Sequence, residues 1–309
     1  MKLFGMLRAL QEAGSQTAPP AEGGSEQLRH MLLHHLSDGK DVDFQVYGHG
    51  KTFDLSALHI PPIHLGSLTI DLSPTKHVVW MVVAALVVLA VFLPLARVMK
   101  RKYTDQAPKG FANAVESMVV FFRDEVVRRG IGEGADAYTP YILTLFFFIL
   151  TMNLFGVIPF ASRPTGNLSV TMALALVSFI VIEVSGMMKL GFKGYMKTIF
   201  YTPPGLHPAV AAVMLLILTP VEFLSKLTKP FALMIRLFAN MLAGETLVLS
   251  LLGVIFLFAN LVIGKYPIAL GSVAMVLAIM LLEIFVAFLQ AYIFAMLTAV
   301  FIGLIRHAH

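Results

Sequence analysis

RLFANMLAGE, residues 236–245, lies between AAVMLLILTPVEFL (211–224) and TLVLSLLGVIFLF (246–258). The flanks are greasy enough for the interior of a bilayer. Arg236, Asn240 and Glu245 are each costly there, and an ionisable group kept at that depth is a functional candidate by default. The whole apolar stretch runs from Pro208 to about Phe258 and is interrupted by Pro220 and Pro230. A helix crossing the bilayer needs only about 20 residues. The stretch must therefore be tilted, bent or broken, and so must the second long run, Pro267 to Ile305. Two such elements, joined at ANLVIGKY, form a wall inside the membrane more readily than two lipid-facing posts.

Composition agrees. Hydrophobic residues make up 58% of the 309 and charged residues 13%, about half the charged share of a soluble domain. The mean hydropathy is +0.81. A soluble chain of this length would lack the charge to cover its surface. Cysteine is absent, which removes disulfides and thiolate chemistry. The net charge of +5 does not point to nucleic acid, because the basic residues flank apolar runs in the manner of membrane topology signals.

The expected class is an all-α polytopic membrane protein. Residues 1–76 read as a polar extracytoplasmic extension, partly disordered over QEAGSQTAPPAEGGSEQL (11–28), and residues 77–309 as the membrane-embedded part. MKLFGMLRAL lacks the apolar run of a signal peptide. Alternating runs such as SLTIDLS (67–73) suit a small strand or hairpin outside the bilayer. Val78–Leu95 has spanning length and is followed by Arg97, Lys100, Arg101 and Lys102, which places that end in the cytoplasm and the N-terminus outside. KGFANAVESMVVFFRDEVVRR (109–129) is amphipathic at helical spacing. It either lies on the membrane surface or packs on protein. Tyr141–Ile158 crosses outward and Val170–Met188 returns to Lys189, Lys193 and Lys197, with only Arg163 as a basic residue in the loop between them. The C-terminus then falls on the cytoplasmic side.

Helix geometry orders the polar residues. Arg236 stands 14 positions after Glu222, about 21 Å along an ideal axis and near the same face, and Asn240 follows on that face. Glu245 is about 13.5 Å beyond Arg236 and on the other side. Glu283 and Gln290, seven apart, share a face of the last helix. Carboxylates at two depths can carry protons in single steps, whereas the guanidinium between them stays charged and releases none. That is a barrier between two proton paths, useful only if something else carries the proton past Arg236. Plainer roles also fit: Glu222 as an i, i+4 partner of Lys226, Lys226 and Lys229 as snorkelling charges, Asn240 and Gln290 as hydrogen-bonding glue between helices. Asn153 and Glu183 are secondary candidates, Glu183 facing either a water-filled cavity or a partner subunit. His30, His34 and His35 have ligand spacing but no third partner in view, and read as a solvated helix. No phosphate-binding G-x-x-x-x-G-K-[ST] string occurs, so no ATP site of that type is expected.

LTKPFALMIRLFANMLAGE (227–245), LEIFVAFLQAYIFAMLTAVFI (282–302) and PTGNLSVTMALAL (164–176) together resemble subunit a of the bacterial rotary ATP synthase membrane sector, over about residues 75–305. The resemblance implies a non-catalytic, ion-translocating stator subunit without cofactor or metal, in the bacterial inner membrane. Its partners would be a c-ring of small hairpin subunits, peripheral-stalk b subunits and lipid. Arg236 would face the ring carboxylate and block leakage between two aqueous half-channels. Asn240, Glu245 and Gln290 would line the outer half-channel or pack beside Arg236, and Glu222 would lie near the cytoplasmic one. Several family members carry histidine where Glu283 stands, so the outer relay here has two carboxylates, expected to titrate as a coupled pair. The rival class is a secondary ion transporter with intramembrane Arg and Glu. Its signature is two related halves, and no duplication is visible. The ring's own site decides between H⁺ and Na⁺.

Overall fold

The computed structural model describes residues 41–43, 52–54, 63–65, 68–70, 75–102, 109–158, 161–200, 208–257 and 265–307. Before the membrane part, β1 (Asp41–Asp43) pairs antiparallel with β2 (Thr52–Asp54), and β3 (Ile63–Leu65) with β4 (Leu68–Ile70). The second pair brings Leu65 opposite Leu68, in the region where alternation suggested a hairpin. His30, His34 and His35 lie outside the described residues.

The rest is helical. The elements are α1 (Lys76–Lys102), α2 (Phe111–Phe121), α3 (Thr139–Phe155), α4 (Leu168–Ile199), α5 (Pro208–Leu257) and α6 (Lys265–Arg306). Five of the described helices are long and apolar enough to cross a membrane, and the fold is that of an all-α polytopic membrane protein. Each starts or ends within a few residues of its sequence-derived limit, because apolar length sets both. Along α1, residues such as Val82, Leu86, Leu89 and Leu93 are exposed, as expected of a helix whose neighbours are lipid or another chain. α5 and α6 run as unbroken helices of 50 and 42 residues. Pro220 and Pro230 each remove one backbone donor from α5 without ending it, which is tolerated in membrane helices when neighbours satisfy the freed carbonyls.

α4 departs from the simple returning span. It extends to Ile199 and is broken at Gly191, with φ 70° and ψ 164°. That conformation belongs almost solely to glycine. The break has a local purpose. Tyr195 lies 12 positions after Glu183, about 18 Å away along a straight helix, yet its hydroxyl donates to Glu183 Oε2. Only a redirected chain brings the two together.

The described residues sort into two compact units. One holds those of Met1–Val82, Asn153–Asn167 and Asn240–Ala287; the other holds Val83–Met152, Leu168–Ala239 and Phe288–His309. In the second, Phe122 anchors an aromatic core, with ring centroids 4.2 Å from Phe146 and 5.8 Å from Tyr292, while Phe146 meets Phe288 at 5.5 Å. Phe122 opens a π-helical segment, Phe122–Arg128, that continues α2. Phe122, Val126, Val127 and Ile131 are buried, whereas Phe111, Val120 and Phe121 are exposed. The amphipathic stretch thus packs on protein through its second half and leaves apolar side chains uncovered along its first. Its polar face carries Arg128 at 2.9 Å from Asp124 and 3.0 Å from Asp136. Hydrogen bonding from Arg123 holds the Asp124 carboxyl below the usual carboxylate range.

The end of α6 is fastened in the same unit. Arg306 donates to the Tyr138 hydroxyl at 3.0 Å and the Glu133 carbonyl at 3.1 Å. Gly303 lies against the Gly130 carbonyl so closely that a Cβ there would overlap it. Gly303→Ala gains up to about 1 kcal/mol in helix propensity, but an overpacked contact with backbone costs typically about 1–3 kcal/mol. The expected outcome is a thermal midpoint lowered by several degrees in purified protein; an unchanged midpoint would show that this approach is not a tight one.

Candidate functional site

Polar residues at membrane depth gather in three places. The first lies within the unit that contains the loop after α3. Arg163, in ASRPTGN (161–167), is almost fully buried, with 3% of its side chain exposed. Its Nη1 and Nη2 donate to Glu283 Oε1 and Oε2 at 3.3 and 3.2 Å, and Nη1 also donates to the Met241 carbonyl at 3.0 Å. Glu283 comes from α6 and Met241 from α5, so one guanidinium ties a loop to two helices. Two glycines provide the room. A Cβ at Gly156 would overlap the Arg163 guanidinium, and one at Gly244 would overlap Glu283 Oε1. Asn153, at the end of α3 and fully buried, donates to the Ala287 carbonyl at 3.1 Å and accepts from the Thr165 hydroxyl at 2.7 Å. It holds the same loop to α6. Glu245, half-buried, lies beside this pair. A Cβ at Gly166 would sit 3.4 Å from its Oε2, and Arg163, Lys76 and Glu283 all act on it electrostatically.

The second place lies within the other unit. Lys226 of α5 is buried and its ammonium is 3.5 Å from Glu183 Oε2, 3.4 Å from Thr198 Oγ1 and 4.3 Å above the Tyr195 ring. Glu183, Thr198 and Lys226, with Glu222 and Lys229, line a cavity of about 90 Å³. The i, i+4 pair between Glu222 and Lys226 does not form: Lys226 turns to Glu183 on α4 instead, because the break at Gly191 brings Tyr195 and Thr198 around it. Neither is Lys226 a snorkelling charge. Lys229 lies 5.4 Å from the centre of the Phe301 ring. Glu183 lines this cavity. Its carboxylate and that of Glu222 share one small cavity with an ammonium, among apolar walls that include Phe179, Ile182 and Leu304; the charged groups are what could hold water and exchange protons there.

The third place is the face of α5 around Arg236. Arg236 and Asn240 are exposed, together with Ala232, Ala239 and Ala243. Leu233, Met234, Leu237 and Met241 of the same stretch are buried. The helix thus presents a guanidinium and an amide with alanines at 232, 239 and 243 beside them, and Phe231 and Ile235 exposed on the adjoining faces. Among the described residues, no hydrogen bond or ion pair reaches Arg236. Gln290 is buried on α6.

Glu245 and Glu283 do come into one cluster, as their placement on two long helices suggested. Their relation differs from a proton-sharing pair of acids, since both Glu283 oxygens accept from Arg163. Glu222, expected on a stripe with Arg236 and Asn240, is half-buried on the cavity wall while the other two are exposed. Arg163 escaped sequence reasoning as a site residue. The one available signal was its position as the sole basic residue between two spans, which read as topology. Its partner stands 120 positions away, beyond the reach of local spacing.

Comparison with known proteins places these features in a family. The family model of the ATP synthase A chain matches residues 78–303. The chain is 43% identical over 272 residues to the ATP synthase subunit a of Chloroherpeton thalassium, covering 88% of this chain and 75% of that protein. It is 43% identical over 295 residues to the ATP synthase subunit a of Anaeromyxobacter dehalogenans, with 93% and 73% covered. An ATP synthase subunit a 2 of Prosthecochloris aestuarii is 40% identical over 290 residues, with 94% and 83% covered. With the match running through α1 to α6 and through all three polar clusters, the chain belongs to the ATP synthase A chain family.

Proposed function

We propose that this chain is the stator channel subunit of a rotary ATP synthase, passing protons through two aqueous half-channels to and from the carboxylates of a rotating ring. The observation that carries this reading is Arg236: a guanidinium exposed at membrane depth, amid alanines, with no anion beside it in the described chain. A charge so placed is costly unless an acid from another molecule meets it, and small neighbours let a partner helix approach closely. The ring carboxylate supplies that acid. On meeting Arg236 it gives up its proton, and the fixed positive charge keeps the two paths from joining.

Glu222, with Glu183 and Lys226 in its cavity, lines the cytoplasmic path. Glu245 and Asn240 line the outer path, with Glu283 beside them in its ion pair with Arg163 and Gln290 packing near Arg236. The chain carries no chemistry of ATP itself, takes no cofactor, and works with ring, peripheral-stalk b subunits and lipid. It sits in a bacterial plasma membrane with its N-terminal extension, residues 1–76, outside and its C-terminus in the cytoplasm.

ATP-driven pumping into vesicles by the intact complex tests the reading. Arg236→Ala and Arg236→Gln reduce pumping to background. Arg236→Lys fails as well, since an ammonium is compact and loses its proton readily on burial. Normal pumping by Arg236→Ala would falsify the channel assignment. Repeating the wild-type assay with and without sodium identifies the ion.

A second outcome concerns Glu222→Gln. Flux falls while the complex still co-purifies whole, because the variant keeps the volume of the cavity wall and removes only the titratable group. Unchanged flux would leave Glu222 a wall residue and move the cytoplasmic path to Glu183.

A further inference from the structure

The pair Arg163–Glu283 invites an explanation that the channel reading does not supply. A proton relay needs a carboxylate oxygen free to accept and pass a proton. Glu283 is poorly placed for that: Arg163 engages both oxygens at 3.2 and 3.3 Å, and the two side chains are 3% and 9% exposed. Such a forked contact is geometrically demanding. Here it is further fixed by the Met241 carbonyl at 3.0 Å and by two close glycine seats, Gly156 under the guanidinium and Gly244 under the carboxylate. Arg163 Nε faces the Gly156 side with no hydrogen-bond partner, so the site is shaped to hold the fork rather than to saturate the arginine. Glu245, one residue beyond Gly244, is half-buried instead of sealed, and has Arg163 and Lys76 as neighbouring positive charges.

We propose that Arg163 is a positioning residue: paired with Glu283 and seated against Gly156 and Gly244, it removes Glu283 from proton exchange and leaves Glu245 as the exchanging carboxylate of this cluster. This rests on the channel reading and refines it. The pair is net neutral, so it closes the loop 161–167 over α5 and α6 without adding charge to the path.

A five-way comparison in the intact complex decides the matter: Arg163→Gln, Glu283→Gln, both together, Glu245→Gln, and Glu245→Gln in the double background, each measured for co-purification with the ring and for proton flux in vesicles. Flux falls roughly tenfold or more in either single variant of the pair, since each leaves a buried charge uncompensated. In the double variant it returns to within about threefold of wild type, because the two changes are strongly coupled. Glu245→Gln abolishes flux alone and in the double background. Recovery in the double variant is the readout that a relay role cannot produce, since a proton-carrying carboxylate cannot be deleted with flux intact. Flux that stays lost in the double variant, or failure of the double variant to assemble, overturns the proposal. So does normal flux in Glu245→Gln. Arg236→Ala, assayed in the same vesicles, separates this from failure of the channel reading, which falls only if that variant pumps.

Discussion

A guanidinium at the depth of hydrocarbon needs an anion at hydrogen-bond distance, and the chain meets that requirement in two opposite ways. Arg163 has its anion inside the molecule, with glycines on both sides to let the fork close. Arg236 has none in the described chain and stands on a face of alanines. The first arrangement is sealed; the second, in the proposed channel, is completed by an acid from another molecule. The same chemical group thus acts as a fastener in one place and as an open contact in the other. What separates them is burial, 3% exposure for Arg163 against an exposed Arg236.

The other polar groups follow the same logic. Lys226 is buried and is met by Glu183, Thr198 and the Tyr195 ring. Asn153 is buried and has both a donor and an acceptor contact. Buried Lys226, Asn153 and Glu283 have thus each found company, as low dielectric demands. The groups left half-buried or exposed, Glu222, Glu245, Arg236 and Asn240, are those with access to water or to a neighbour, and they are the ones on which the proposed transport depends.

Much of this was legible from residue order. The helices α1, α3, α5 and α6 were readable because apolar length and flanking charge fix a span with little ambiguity. Arg236, Asn240 and Glu245 were conspicuous because polar residues contrast with their surroundings there. What could not be read depended on contacts between distant segments. The Arg163–Glu283 pair joins residues 120 positions apart, and nothing local to either announces the other. Lys226 has a carboxylate four residues before it and was naturally assigned to it, yet chooses one on another helix. The break at Gly191 decides that choice, and a single glycine in an apolar run is too common to signal a change of direction. The π-helical continuation of α2 was equally silent, since Phe122 and Val126 fit an ordinary helical stripe.

The alanines at 232, 239 and 243 have a mechanical consequence for any partner that moves past them. Long side chains at a contact must settle into particular rotamers each time it forms, and each lost rotamer costs conformational entropy. Alanine has no side-chain rotamers to lose. A surface built from it changes little in energy as a neighbour advances by one helix, so there is no deep resting position to escape at every step. In the proposed machine, this face of α5 serves as a plain bearing, with Arg236 as its one detent.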